Sequence, residues 1–379
     1  MDRNYSSADN GNTTTSIGVT TDHANGETVL VVIPVLPNSL DGGWLSRIGI
    51  TAILLFGTFG NVMTVIILRR LRSGWSAMNV YLTALALSDT AMLYSGTLPM
   101  WARKVLQYDI YASHVVICKL FIWVMNTAAA LSAWLLVALT AQRAASVVWP
   151  HRVNVMCTRH KSVVVIVVIN VVCGLLYSHT AYGYDMVKFD NGTTQRCTFS
   201  SLDYQEFYVS IWVRIDIFIF CVLPSVSLIV SNAVLGWKLA AAVKQAKEKF
   251  SNRGGDRKDS REQKASSVTV TIFIVSTAFV VATAPFATYS TFFFQYAIRD
   301  IDYFLYDVFT MLGTANFAWN FYLYCLTGSR FREEFKIISG CRVSVTSAPG
   351  SAYVTEGSEL SEVTQRGSKK RDLTRNDDF

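Results

Sequence analysis

Seven long stretches of the chain are apolar almost without interruption: roughly residues 48–68, 78–101, 115–142, 162–183, 206–238, 264–296 and 303–328. A helix needs about 20 such residues to cross a bilayer, and each stretch is long enough to do so with some tilt. The first, IGITAILLFGTFGNVMTVIIL, holds no charge; the second holds one, Asp89; the core of the third, LFIWVMNTAAALSAWLLVALTAQ, is uncharged up to Arg143. The pattern predicts an all-α membrane protein, with a seven-transmembrane helix bundle over residues 46–328. Residues 1–45 lack the basic start, apolar core and small-residue cleavage site of a signal peptide. They are expected to form a disordered, glycosylated N-terminal tail.

Composition agrees. Only 16% of the residues are charged and 51% are hydrophobic, whereas a soluble globular chain is about a quarter charged. The net charge of +7 could suit nucleic acid, but the basic residues fall in short runs between apolar stretches, which points to the cytoplasmic face of a membrane instead. RRLRSG follows the first stretch; Arg152, Arg159 and Lys161 follow the third; KQAKEKFSNRGGDRKDSREQK follows the fifth; GSRFREEFK follows the seventh. The opposite side carries fewer, scattered basic residues. The N-terminus is therefore expected outside the cell and the C-terminus inside, in a multi-pass plasma-membrane protein.

Three Asn-X-Ser/Thr sequons, at Asn4, Asn12 and Asn191, fall on the outer side and are the glycosylation candidates. Cys118 and Cys197 are the two cysteines placed there, so a disulfide between them suits the compartment; two free thiols are the alternative. Cys173 and Cys221 sit inside apolar stretches as small packing residues. CxxC pairs, a nucleophile elbow and a phosphate loop are all missing, so neither a metal cluster nor an enzyme is expected.

On this topology, particular residues resemble rhodopsin-like (class A) G-protein-coupled receptors over roughly residues 45–341. Asn61 follows a glycine in the first stretch, and Asp89 stands in LALSD. Cys118 precedes Arg143, and Pro150 follows it, at the family's spacings. Pro224 and Pro285 fit the kinks of the fifth and sixth helices, with Phe279 ahead of Pro285. NFYLY, Asn320 to Tyr324, stands where the family has NPxxY, and Phe331 opens a short amphipathic helix at 329–341. Within the family, NFAWNFYLYCLTGSRFREEF is most similar to invertebrate neuropeptide receptors of the FMRFamide type.

The resemblance implies roles. Asp89 would be a carboxylate at mid-bilayer depth, costly unless paired or hydrated. Its oxygen-bearing partners would be Asn61, Ser132, Asn316 and Asn320. Ser132 and Asn316 match positions that help hold an allosteric sodium ion, and oxygen ligands suit a hard cation. A hydrogen-bond network without an ion is the alternative, because Phe317 and Phe321 make the surroundings apolar. Arg143 would face the cytoplasmic cavity that a heterotrimeric G protein enters, with Leu139 and Tyr324 packed around it; a snorkelling membrane-edge arginine is the bland alternative.

Here the sequence departs from the family. Gln142 replaces the acid before Arg143, and Ala144 the aromatic after it. A neutral partner restrains an arginine less than a carboxylate does. Asn170 and Thr283 replace tryptophans, and Phe321 replaces the proline of the seventh helix. Without that ring the seventh helix is expected to keep its backbone hydrogen bond and to bend less.

Two ligand classes are excluded by residue type. The position of the monoamine receptors' aspartate is Met125. The position of the opsins' retinal lysine is Thr314, and residues 302–328 contain no lysine. A peptide fits better. Arg214 and Asp216 lie in the outer half of the fifth stretch, and Tyr306, Asp307 and Thr310 at the outer end of the seventh. Trp101 and Arg103 end the second, and Phe286, Tyr289, Phe292 and Gln295 come from the sixth. Rings with a few charges suit an amidated peptide. A mutual Arg214–Asp216 pair, or headgroup-facing charges, is the alternative.

On the inner side, LAAAVKQAKEKF should continue the fifth helix. The tail at 342–379 is Ser/Thr-rich, charged and expected to be disordered. Ser358, Ser361 and Thr364 stand among glutamates, where receptor kinases could build an acidic strip for arrestin. Cys341 is a palmitoylation candidate that would add a contact with membrane lipids. A transporter could also bury Asp89 in seven spans, but repeated halves and paired broken helices are missing. A constitutively active or lipid-sensing receptor of the same fold is the remaining alternative. No cofactor other than sodium is implied.

Overall fold

A computed structural model describes residues 17–21, 28–32, 43–71, 76–152, 157–189, 194–252, 260–292 and 300–340. Helices α1 (Gly43–Arg70), α3 (Val115–Val148), α4 (Arg159–Leu176, resuming as His179–Gly183), α5 (202–252) and α6 (Ser260–Phe292) each contain a stretch long and apolar enough to cross a membrane. Helix α2 (77–106) and α7 (Asp300–Ala315, then Asn320–Thr327) complete the seven-helix bundle among the described residues. They fall below that measure for physical reasons. Asn79, Ser88, Asp89, Ser95 and Thr97 make α2 polar, yet all are buried. Helix α7 is interrupted in its middle. The amphipathic helix α8 (Ser329–Ile338) follows.

Helix starts are set by caps, which satisfy backbone N–H groups that have no partner within the helix. The Ser76 side chain accepts from the Asn79 amide at the start of α2, His114 from Val116 at α3, and Ser201 from Tyr204 at α5. The outer half of α2 contains Pro99, which has no N–H to offer the Ser95 carbonyl. The Tyr111 hydroxyl donates to that carbonyl instead, at 2.8 Å. Wider π-type turns flank this point at Leu93–Thr97 and Ala102–Leu106.

The bundle's inner half is welded by Leu85, Leu136, Leu139, Leu228, Phe279, Phe321 and Tyr324, all buried in one cluster. Its outward surface is apolar too: Val164, Val167, Val168, Val171, Val172 and Leu175 on α4 are all exposed. Such a patch would be a liability in water; in a bilayer it is the lipid-facing surface. Outside the membrane, strands β3 (Tyr184–Phe189) and β4 (Thr194–Phe199) pair antiparallel with Met186 opposite Cys197.

Two expectations are corrected. The N-terminal stretch is not featureless: β1 (Ile17–Thr21) pairs with β2 (Thr28–Val32). Both runs, IGVTT and TVLVV, are rich in β-branched residues, which favour strands. Second, α7 breaks at residues 316–319 despite lacking proline. There the ladder tightens to three-residue spacing, with the Phe317 amide donating to the Thr314 carbonyl at 3.1 Å and Ala318 to Ala315 at 2.9 Å. The Asn61 side-chain amide donates to the Phe317 carbonyl at 3.0 Å, satisfying an acceptor the break exposes. Close approach of α1 makes this contact available. A Cβ on Gly57 would sit 2.9 Å from Ala318 Cβ, and one on Gly60 2.9 Å from Phe321 Cβ.

Candidate functional site

Three groups of the expected residues lie at successive depths. At mid-depth, Asp89 is fully buried. Ser132 on α3 donates to its Oδ1 at 2.6 Å, and Asn320 on α7 donates to its Oδ2 at 2.8 Å. One carboxylate thus ties α2, α3 and α7 together with two charge-assisted bonds. Asn61 turns to the Phe317 carbonyl instead, and Asn316 is buried in the α7 break. The neighbouring Ser88 hydroxyl donates to the Ala128 carbonyl at 2.8 Å, a second α2–α3 tie.

Toward the inner end, Leu139 and Tyr324 are buried together, and the Tyr324 ring packs against Phe331 of α8. Arg143 is partly buried, with its guanidinium against the Met78 sulfur on α2. Among the described residues it forms no ion pair. Its Nε and the Gln142 Oε1 are both buried without a hydrogen-bond partner there, so Gln142 does not substitute for the missing acid. Between the inner halves of α5 and α6, Asn232 and Ser276 bond reciprocally, at 2.7 and 3.0 Å.

At the outer end the β3–β4 hairpin is fastened to α3 by the Cys118–Cys197 disulfide, with Cα atoms 5.6 Å apart. Lys119 and Asp185 add an ion pair at 3.2 Å. The hairpin's Tyr184 and Phe199 rings pack on Tyr208 of α5 at 5.9 and 5.2 Å. Across the mouth, Tyr306 lies 6.4 Å from Phe286 and 6.3 Å from Tyr289, and Thr310 lies beside Tyr306. Met125 is partly buried under the Tyr111 hydroxyl. Arg103 is exposed, within electrostatic reach of Tyr111 and Tyr306.

Other expected ligand residues are engaged elsewhere. Trp101 donates to the Thr51 hydroxyl on α1 at 3.0 Å. Asp307 forms a buried ion pair with Lys104 at 2.8 Å, joining the outer ends of α2 and α7. Arg214 is exposed on the α5 face that carries exposed Ile211, Ile215 and Phe218, turned away from Asp216. The two-residue spacing decides this: two positions along a helix is more than half a turn. Asp216 is partly exposed and accepts a hydrogen bond from Tyr177 of α4.

Sequence reasoning missed Lys104, Tyr177 and the Asn232–Ser276 pair. Lys104 was visible only as one of the scattered outer charges, and nothing local names its partner. The side chains of Phe292 and Gln295, and the residues Asn4, Asn12, Asn191, Cys341, Ser358, Ser361 and Thr364, lie outside the described residues.

The family model of the seven-transmembrane receptors of the rhodopsin family matches residues 60–324. The chain belongs to that family. Among similar proteins, the growth hormone secretagogue receptor type 1 of Sus scrofa is 29% identical over 226 residues, which span 57% of this receptor and 58% of the relative. The receptor therefore covers less than two thirds of that relative's length. The B1 bradykinin receptor of Homo sapiens is 24% identical over 293 residues, 75% of this receptor and 79% of the relative. The matched residues run from Gly60, beside Asn61, to Tyr324, so they take in all three depths of the site.

Proposed function

We propose that this receptor carries an extracellular peptide signal to heterotrimeric G proteins, with its N-terminus outside the cell. The observation that carries the inner half of this function is Arg143. Its Nε and the neighbouring Gln142 Oε1 lie buried without partners among the described residues, and an unsatisfied buried polar group costs about 1–3 kcal/mol. A segment of a G protein entering at the inner mouth would supply carbonyls and amides to both. Leu139 and Tyr324 form the apolar wall beside them.

For the outer half, the support is a roofed mouth lined by rings with few charges, a surface suited to a peptide. One relative is named for bradykinin, a peptide. The neuropeptide class rests on the similarity of the NFAWNFYLYCLTGSRFREEF segment. Arrestin and receptor kinases acting on the C-terminal tail, and lipid contact through Cys341, belong to the same proposal.

Asp89 and Ser132 bring carboxylate and hydroxyl oxygens together, ligands that suit a hard cation such as sodium; Asn320, whose Nδ2 faces Asp89, would turn its amide oxygen inward to join them, with Asn316 as a further amide donor. When bound, the ion would supply the positive charge that buried Asp89 lacks among its described partners.

A second reading is favoured by the same Arg143: without a paired carboxylate among the described residues, it would allow signalling without ligand. One experiment separates the two. Cells expressing the receptor are exposed to a library of amidated neuropeptides while G-protein activation is recorded. Saturable activation by a peptide supports transduction of a peptide signal. High activation that no peptide alters supports the second reading.

A further inference from the structure

Asp216 is the unusual charge of the outer half. It sits in a membrane-crossing helix, where a carboxylate is expensive unless partnered. Arg214, two residues before it, points to the opposite side of α5. Its one hydrogen bond among the described residues comes from the Tyr177 hydroxyl to Oδ1. Oδ2 has no partner there, and no lysine, arginine or histidine among them pairs with the group. A second outer carboxylate, Asp307, is already neutralised by Lys104.

The surroundings are rings. Tyr177 packs edge-on against Trp212 at 5.7 Å. Tyr208, eight residues and about two turns before Asp216 on α5, is within its electrostatic reach and packs under the Tyr184–Phe199 roof of the hairpin. Phenol faces attract cations through their ring quadrupole, and a carboxylate attracts them by charge. Both point to the same guest.

We propose that Asp216, oriented by Tyr177 and flanked by Tyr208, is a subsite for a cationic group of the ligand, a guanidinium or an ammonium. The assignment rests on the peptide-receptor proposal and deepens it: the peptide would be basic, and its positive group would seat between α4 and α5 below the hairpin. Tyr177 is a positioning residue. Its hydroxyl holds one carboxylate oxygen so that the other faces the guest.

The test uses the purified full-length receptor and two small probes with the α-amino group acetylated, arginine amide and its uncharged isostere citrulline amide. Thermal unfolding is followed against probe concentration, since a ligand that binds the folded state raises the midpoint. The wild-type receptor is expected to respond to arginine amide at concentrations at least about tenfold lower than to citrulline amide, the equivalent of one charge-assisted bond. Asp216→Asn should erase that preference. Tyr177→Phe should shrink it while leaving the citrulline response in place, which loss of packing alone would not do. Asp216→Glu keeps the charge and should retain the preference, which guards against an asparagine variant that fails to fold. Equal responses to the two probes in wild type, or an undiminished preference in Asp216→Asn, overturns the subsite. If arginine amide binds as expected but no peptide activates a G protein, the subsite stands and the peptide-receptor proposal fails.

Discussion

Asn232 on α5 and Ser276 on α6 hold each other by reciprocal hydrogen bonds of 2.7 and 3.0 Å, both side chains buried at the inner half of the bundle. On the proposed function, a G protein would enter at this side once neighbouring helices part there. With Gln142 in place of the expected acid, this pair is a tie that Arg143 does not provide. Hydrogen bonds between membrane helices are worth about 0.6–1.7 kcal/mol, or roughly 3- to 18-fold in an equilibrium. Ser276→Ala is expected to raise ligand-independent G-protein activation by a factor in that range. Asn232→Ala should do the same, and the double variant should add little more. Additive effects in the double variant would show that the two residues act separately.

Restoring the missing acid should do the opposite. In Gln142→Glu the carboxylate stands beside Arg143, whose Nε lacks a partner among the described residues. A charge-assisted bond is about twice as strong as a neutral one. Basal G-protein activation, measured at matched surface expression, is expected to fall several-fold. Equal basal activity would mean that the residue before Arg143 does not set the resting state.

The Lys104–Asp307 pair is buried at both ends and joins α2 to α7. Removing one partner of a buried pair strands a charge and typically costs about 3–5 kcal/mol. Lys104→Ala and Asp307→Ala are each expected to lower the thermal unfolding midpoint of the purified receptor. Exchanging the two residues should recover part of the loss. Midpoints in the single variants within a degree of wild type would make the pair energetically silent.

Asp89 accepts bonds from two other helices with both oxygens. Asp89→Asn keeps the shape but removes the charge a cation needs. Sodium chloride is expected to stabilise the wild-type receptor more than the chloride of a bulky organic cation does, and this difference should vanish in Asp89→Asn. A sodium-specific effect that persists in the variant would place the ion elsewhere.

Much of the bundle was legible in the sequence because a helix that crosses a bilayer is apolar for about 20 residues, a measure that five of the helices meet and that α2 and α7 approach. Of the four partners expected for Asp89, Ser132 and Asn320 bond it, while Asn61 turns to the Phe317 carbonyl and Asn316 shows no bond to it among the described residues. What escaped were outcomes of helix rotation and of one side chain reaching another backbone. Arg214 and Asp216 are two positions apart and read as one charged site, yet a helix sends them to opposite sides. The α7 break was expected to soften once proline was replaced by Phe321. Instead Asn61, distant in sequence, bonds the Phe317 carbonyl at the interruption. Tyr177 gave no signal of its own, because a tyrosine at the outer end of an apolar helix reads as a membrane-interface residue.

The most direct measurement is nucleotide exchange on purified heterotrimeric G proteins by membranes carrying the receptor, compared with membranes carrying Arg143→Ala at equal receptor density. The account predicts exchange above receptor-free membranes, a further saturable rise with at least one amidated peptide, and loss of both in Arg143→Ala. Exchange no greater than that of receptor-free membranes with every peptide tested, or exchange undiminished by Arg143→Ala, would contradict it.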